Sequence, residues 1–157
     1  LTIEIGYRGG MVDASGASEL GLYFAEKAPA QTPASIEITP APLNVAPGKT
    51  GERFRAETAT KSATTITAMW PRLGPGARSL ELTAIRPDGS VEPMLWVNSF
   101  RPKWPAPYIM KEPIALPAGT RLVMTAYYDN KTDAAIAAKP SLAITALPSR
   151  PSATLEP

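Results

Sequence analysis

The chain has 157 residues, with 16 Lys and Arg against 14 Asp and Glu and a formal net charge of +2. Its basic residues are dispersed, the densest group being Arg101-Pro102-Lys103, which excludes a surface that tracks nucleic-acid phosphates. Cysteine and histidine are both absent, so disulfides, the usual zinc and copper ligands and every Ser-His or Cys-His dyad are excluded as well.

The hydropathy pattern has period two along most of the chain, which predicts strands. In order, these are residues 1–7 (LTIEIGY), 18–25 (SELGLYFA), 34–40 (ASIEITP) and 42–50, where a strand end runs into a Pro-Gly turn. Strands 53–60 and 64–70 follow, with Lys61-Ser62-Ala63 as a tight turn between them. Residues 78–86 and 90–97 flank Pro87-Asp88-Gly89, a hairpin turn in which Pro presets φ and Gly accepts a positive φ. After a proline-rich connection come strand 109–116, the turn Pro117–Thr120, strand 121–130 and strand 141–147. Residues 133–139 (DAAIAAK) form at most one helical turn.

Hydrophobic residues at 44% and charged ones at 19% suit a globular domain with a real core. Eighteen prolines exclude long helices. Many short strands joined by turn chemistry predict one all-β domain over residues 1–147, an antiparallel, jelly-roll-like sandwich. Residues 148–157, rich in Pro and Ser, are expected to form an extended tail. No stretch approaches the ~20 apolar residues of a membrane span. Starting at Leu1 inside an alternating pattern, the chain is expected to be a processed or incomplete product, with any export signal or anchor outside it.

Several phrases, LTIEIGYRGG…SELGLYFAEKAP, ARSLELTAIRPDGSVEPMLWV and FRPKWPAPYIMKEPIALPAGTRLVMTAYYDN, resemble one family. It is the copper type II, ascorbate-dependent monooxygenases, which include peptidylglycine and dopamine hydroxylases. The likeness covers residues 1 to about 131, the back half of that two-domain architecture, and is greater to bacterial relatives in which the domain follows c-type cytochrome or redoxin segments. The family's chemistry needs copper on His and Met ligands. Carried over residue by residue, those ligands are replaced: the I-H-Y phrase is Ile5-Gly6-Tyr7, and the P-H-M-H loop is Pro71-Arg72-Leu73-Gly74. The methionine expected after the YDN strand is missing, and the aromatic phrase keeps only Trp104 and Tyr108. Gly6, Arg72 and Gly74 are thus degenerate ligand positions. Arginine stays protonated and offers no lone pair.

Other constellations are weaker. Asp129, Asn130 and Asp133 suggest a small calcium site, but Lys131 opposes it and the spacing of a calcium loop is missing; strand-end capping is the commoner role. Glu112 with Asp129 or Asp133 would make a glycosidase pair only at ~5–9 Å, and dispersed surface carboxylates are far commoner. Asn130-Lys131-Thr132 fits a glycosylation triplet at chance level. Trp70, Trp96, Phe100, Trp104 and Tyr108 gather about the two irregular loops, as core residues or as interface anchors. Trp104 between prolines is the best anchor, with Arg101, Lys103, Phe100, Tyr108 and Trp70 as further partner contacts.

The reading that follows is a non-catalytic binding or scaffolding subunit without cofactor, derived from a copper monooxygenase domain. The resemblance implies a place on the periplasmic or extracellular side, in a larger membrane-associated electron-transfer complex, respiratory or photosynthetic. The alternatives are a carbohydrate-binding or adhesin-like sandwich, in which loop aromatics stack on sugars, and a fragment of a copper monooxygenase with catalytic residues upstream of Leu1.

Overall fold

The computed structural model describes residues 19–24, 26–28, 30–102 and 105–149. The expected strand 1–7, the candidate contacts Lys103 and Trp104, the ligand position Gly6 and the tail beyond Ser149 lie outside the described residues.

The described residues form ten strands and contain no helix. They are β1 (Ala34–Ile38), β2 (Leu43–Val45), β3 (Glu52–Ala59), β4 (Thr64–Arg72), β5 (Ala77–Ile85), β6 (Val91–Val97), β7 (Tyr108–Leu116), β8 (Arg121–Tyr128), β9 (Ile136–Ala138) and β10 (Ser141–Pro148). One four-stranded sheet has the order β1-β10-β4-β7, the other β3-β8-β5-β6, and β2 pairs with β9. All pairings are antiparallel. Setting the short β2–β9 pair aside, the long strands in chain order run first-eighth-third-sixth in one sheet and second-seventh-fourth-fifth in the other. That order is a jelly roll, two Greek keys wrapped together, as the turn spacing predicts.

The core lies between the two sheets. Ile66, Met69, Leu142 and Ile144 face it from one side, and Leu80, Leu82, Met124 and Ala126 from the other. Strand alternation alone would not turn both Ile66 and Met69 inward, since they are three residues apart. A register shift between Ile66 and Ala68 supplies the extra residue, and a matching irregularity sits at Thr145/Ala146 on β10.

The β5–β6 hairpin closes as its residues dictate. Gly89 takes φ 85°, the Arg86 N–H donates to Ser90 O and the Gly89 N–H to Arg86 O, each at 2.9 Å. Both the Ser90 hydroxyl and its N–H donate to Asp88 Oδ1, at 2.6 and 2.9 Å. These bonds, the hydroxyl's first, hold the Asp88 carboxyl below its usual pKa.

Two expectations are corrected. The described part of the segment 18–25, residues 19–24, forms no strand, and Leu20, Leu22, Tyr23 and Phe24 are exposed. Alternation sets side-chain parity, but a strand also needs a neighbour to receive its backbone hydrogen bonds, and these residues join no sheet. Within 133–139, residues Ile136–Ala138 are strand β9 rather than a helical turn. Pairing of Leu43, Asn44 and Val45 with Ala138, Ala137 and Ile136 overrides the helix propensity of alanine. At the far end, β10 runs through Pro148, and the Ser149 N–H donates to Ala63 O at 3.2 Å.

Candidate functional site

The stretch expected to hold two degenerate ligand positions, Arg72 and Gly74, covers the end of β4 and its connection to β5. Trp70 and Arg72 lie two apart on β4 and share its outer face, with the Arg72 guanidinium 4.8 Å from the Trp70 ring centroid. Leu73 between the ligand positions is fully buried. Its carbonyl oxygen accepts a hydrogen bond from the Tyr128 hydroxyl at 2.6 Å. Burial pushes the Tyr128 phenol far up from its ordinary pKa of 10.0, so it remains a neutral donor. The Phe54 ring meets that of Tyr128 edge-on, with centroids 5.5 Å apart.

Gly74 and Gly76 take φ of 76° and 77°, and Gly76 O accepts from the Asp129 N–H at 2.9 Å. The loop is therefore fixed by the end of β8. Copper does not fit it. Arg72 presents a permanently charged, donor-only group already stacked on an indole, and Gly74 has no side chain. Met124, the last methionine, is fully buried in the core, and among the described residues no three His, Cys, Asp or Glu gather.

The structure brings several of the expected partner contacts together. Phe100, Arg101 and Tyr108 line one recess of about 160 Å³, with Ala106 and Val97. Tyr108 is the register partner of Met69, which puts Trp70 on the strand next to it. Trp70, Tyr108 and Ile109 are exposed, Ile109 by 77%. They lie on β7, an edge strand, and on β4 beside it. Phe100 instead packs against the core while remaining partly accessible.

Trp96 belongs to a different surface. It sits on edge strand β6 of the other sheet, opposite Glu81, and is 78% exposed. Its run, Met94-Leu95-Trp96-Val97, is apolar throughout, so the sequence offers no parity from which to read which side chain faces out.

The Asp129–Asp133 segment is a capping turn. Asp129 Oδ1 accepts from the Gly51 N–H at 2.7 Å, and its Oδ2 lies 4.0 Å from Arg78 Nη1. Asn130 is fully buried. Its Nδ2 donates to Val45 O and Ala134 O at 2.8 Å, and its Oδ1 accepts from the Thr132 N–H and hydroxyl. Asn130 thereby ties β8 to the small β2–β9 sheet, a role that no spacing in the sequence announces. Glu112 lies on β7 of one sheet, whereas Asp129 and Asp133 follow β8 of the other.

No protein-family model and no curated protein sequence matches this chain. Among solved structures it is similar in part to proteins of infectious bursal disease virus. The Gt strain structure aligns at 14% identity and TM-score 0.38, over 72% of this chain and 32% of that one. The Gx strain structure aligns at 15% and 0.36, over 79% and 33%. The VP2 subviral particle aligns at 16% and 0.35, over 72% and 32%. This chain thus spans about a third of those chains, and no functional inference follows from them.

Proposed function

We propose that this chain is a non-catalytic binding domain, derived from a copper monooxygenase C-terminal domain and working as an accessory subunit of a larger extracytoplasmic, membrane-associated assembly. The observation that carries the reading is the pair of exposed apolar side chains Trp70 and Ile109, which share the outer face at the edge of the β1-β10-β4-β7 sheet, Ile109 being the register partner of Ala68. Tyr108, the partner of buried Met69, is exposed at the end of the same strand as Ile109. Exposed aromatics grouped on a rigid strand edge are the usual anchors of a protein interface, because few rotamers are lost on docking. Among the described residues no strand pairs the outer side of β7, so a partner strand can extend this edge. Lys111 and Pro113 interrupt that edge, which discourages uncontrolled pairing and favours one shaped partner.

The replaced ligand positions support the non-catalytic part. A loop held by Tyr128, with Arg72 stacked on Trp70, keeps the shape of a site loop without its chemistry. Membrane attachment through the partner is part of this proposal; among the described residues no helix is long and apolar enough to cross a bilayer.

The test is gentle isolation from native membranes, with measurement of the particle mass and identification of what comigrates. A large complex of fixed stoichiometry is expected, from which Ile109→Glu releases the chain. Migration at the chain's own mass of 16.7 kDa would overturn the reading.

A further inference from the structure

The outer face of the β3-β8-β5-β6 sheet carries an ordered set of side chains that the proposed interface does not use. Cross-strand register aligns two rows on that face. One runs Arg55, Thr125, Glu81, Trp96, and the next runs Arg53, Tyr127, Ser79. Residues in direct register share a face of a pleated sheet, and the buried partners Leu80, Leu82, Met124 and Ala126 account for the opposite face. Arg78, Ser79, Glu81, Trp96, Asn98 and Tyr127 line one open recess of about 420 Å³, within the ~300–1,000 Å³ of small-ligand clefts.

Trp96 is a large indole standing almost free on an otherwise polar face. Around it the recess offers a carboxylate (Glu81), an amide (Asn98), a hydroxyl (Ser79) and a guanidinium (Arg78). Arg78 itself stacks near Tyr127, its Cζ 5.9 Å from that ring centroid, while Asp129 lies 4.0 Å from its Nη1. A protein interface would want the polar groups cleared from around its central aromatic. Glu81 and Asp129 offset Arg78 around the indole, so the recess lacks the single-sign field that a nucleic acid or another polyanion needs. What does fit is a ligand with a flat C–H face for the indole and a rim of hydroxyls, each able to donate to Glu81 and accept from Arg78 or Asn98.

We infer that this face is a binding shelf for a neutral oligosaccharide, with one pyranose ring stacked on Trp96 and its hydroxyls bonded to Glu81, Asn98 and Arg78. Tyr127 lies two strands from Trp96, on the order of 10 Å, so a chain of at least two or three sugar rings spans the shelf. Trp96 and Tyr127 share this face on strands two apart, a spacing that an extended, ribbon-like β-1,4-linked chain spans better than a coiled α-linked one. The shelf does not rest on the edge interface proposed above, because β7 and Trp70 belong to the opposite sheet.

The test titrates the full chain with cellohexaose and, separately, maltohexaose, following the indole N–H resonance of Trp96 and the heat of binding. Cellohexaose is expected to bind with micromolar to millimolar affinity and to shift that resonance. Trp96→Ala should weaken binding on the order of tenfold or more, Trp96→Tyr should restore part of it, and Glu81→Gln should weaken it with the fold intact. Trp70→Ala, an exposed tryptophan on the other sheet, should leave the affinity unchanged. Absence of binding to both hexamers, or loss of binding through Trp70 rather than Trp96, overturns the shelf. Binding of maltohexaose alone overturns the β-linked assignment.

Discussion

The Tyr128 hydroxyl donates to the carbonyl oxygen of Leu73 over 2.6 Å, across 55 residues of sequence. Both residues are fully buried. That bond, with the one from the Asp129 N–H to Gly76 O, joins the end of β8 to the connection between β4 and β5.

Tyr128→Phe removes the donor and leaves a buried carbonyl without a partner, a loss of about 1–3 kcal/mol. The substitution also changes the response to alkali. Because the phenol pKa is raised on folding, the folded state holds the proton more tightly than the unfolded chain. The stabilisation is fully present below the unfolded value of 10.0 and is lost as pH rises towards the folded value. Denaturant midpoints at a series of pH values should therefore fall more steeply above pH ~10 for the wild type than for Tyr128→Phe.

Arg72→Ala should matter far less. The guanidinium lies over an indole that is 41% exposed, and a solvent-facing cation–π contact contributes only about 0.5–1 kcal/mol. Equilibrium unfolding of the two variants side by side ranks the contributions. If Arg72→Ala proved the more damaging, Tyr128 would not be what fixes the loop.

Gly76 and Gly48 separate backbone strain from crowding. Both have positive φ, 77° and 72°. A Cβ at Gly48 would meet nothing within 4 Å, whereas at Gly76 it would lie 3.0 Å from Ile136 Cδ1 and 3.2 Å from Asp129 O. Gly48→Ala is expected to cost about 1–2 kcal/mol, the left-handed penalty alone. Gly76→Ala should cost roughly 1–3 kcal/mol more and shift the β9 resonances, because Ile136 begins that strand.

Asn130→Ala deletes four side-chain hydrogen bonds, the one to the Val45 carbonyl among them. A loss on the order of 2–3 kcal/mol follows. Amide exchange should accelerate first in β2 and β9, whose pairing Asn130 anchors, and only later in the two large sheets. Uniform acceleration through the molecule would show that the small sheet is not held separately.

Period-two hydropathy, the Pro-Asp-Gly hairpin and proline punctuation were enough to determine an all-β jelly roll, since side-chain parity and turn dihedrals are local properties. The absence of histidine and cysteine was equally legible, because ligand chemistry is written in residue identity. Residues 19–24 and β9 were not legible, since a strand exists only where another strand accepts its hydrogen bonds, and a sequence does not name the neighbour. Nor could it show that Trp96 would stand apart from Trp70 and Tyr108. The segments bearing Trp70 and Trp96 look alike along the chain, but strand pairing puts them in different sheets. Glu81 and Trp96 are fifteen residues apart in sequence and opposite each other in space. Long-range pairing, which depends on how two sheets bury their apolar faces together, decided which polar groups would surround that indole.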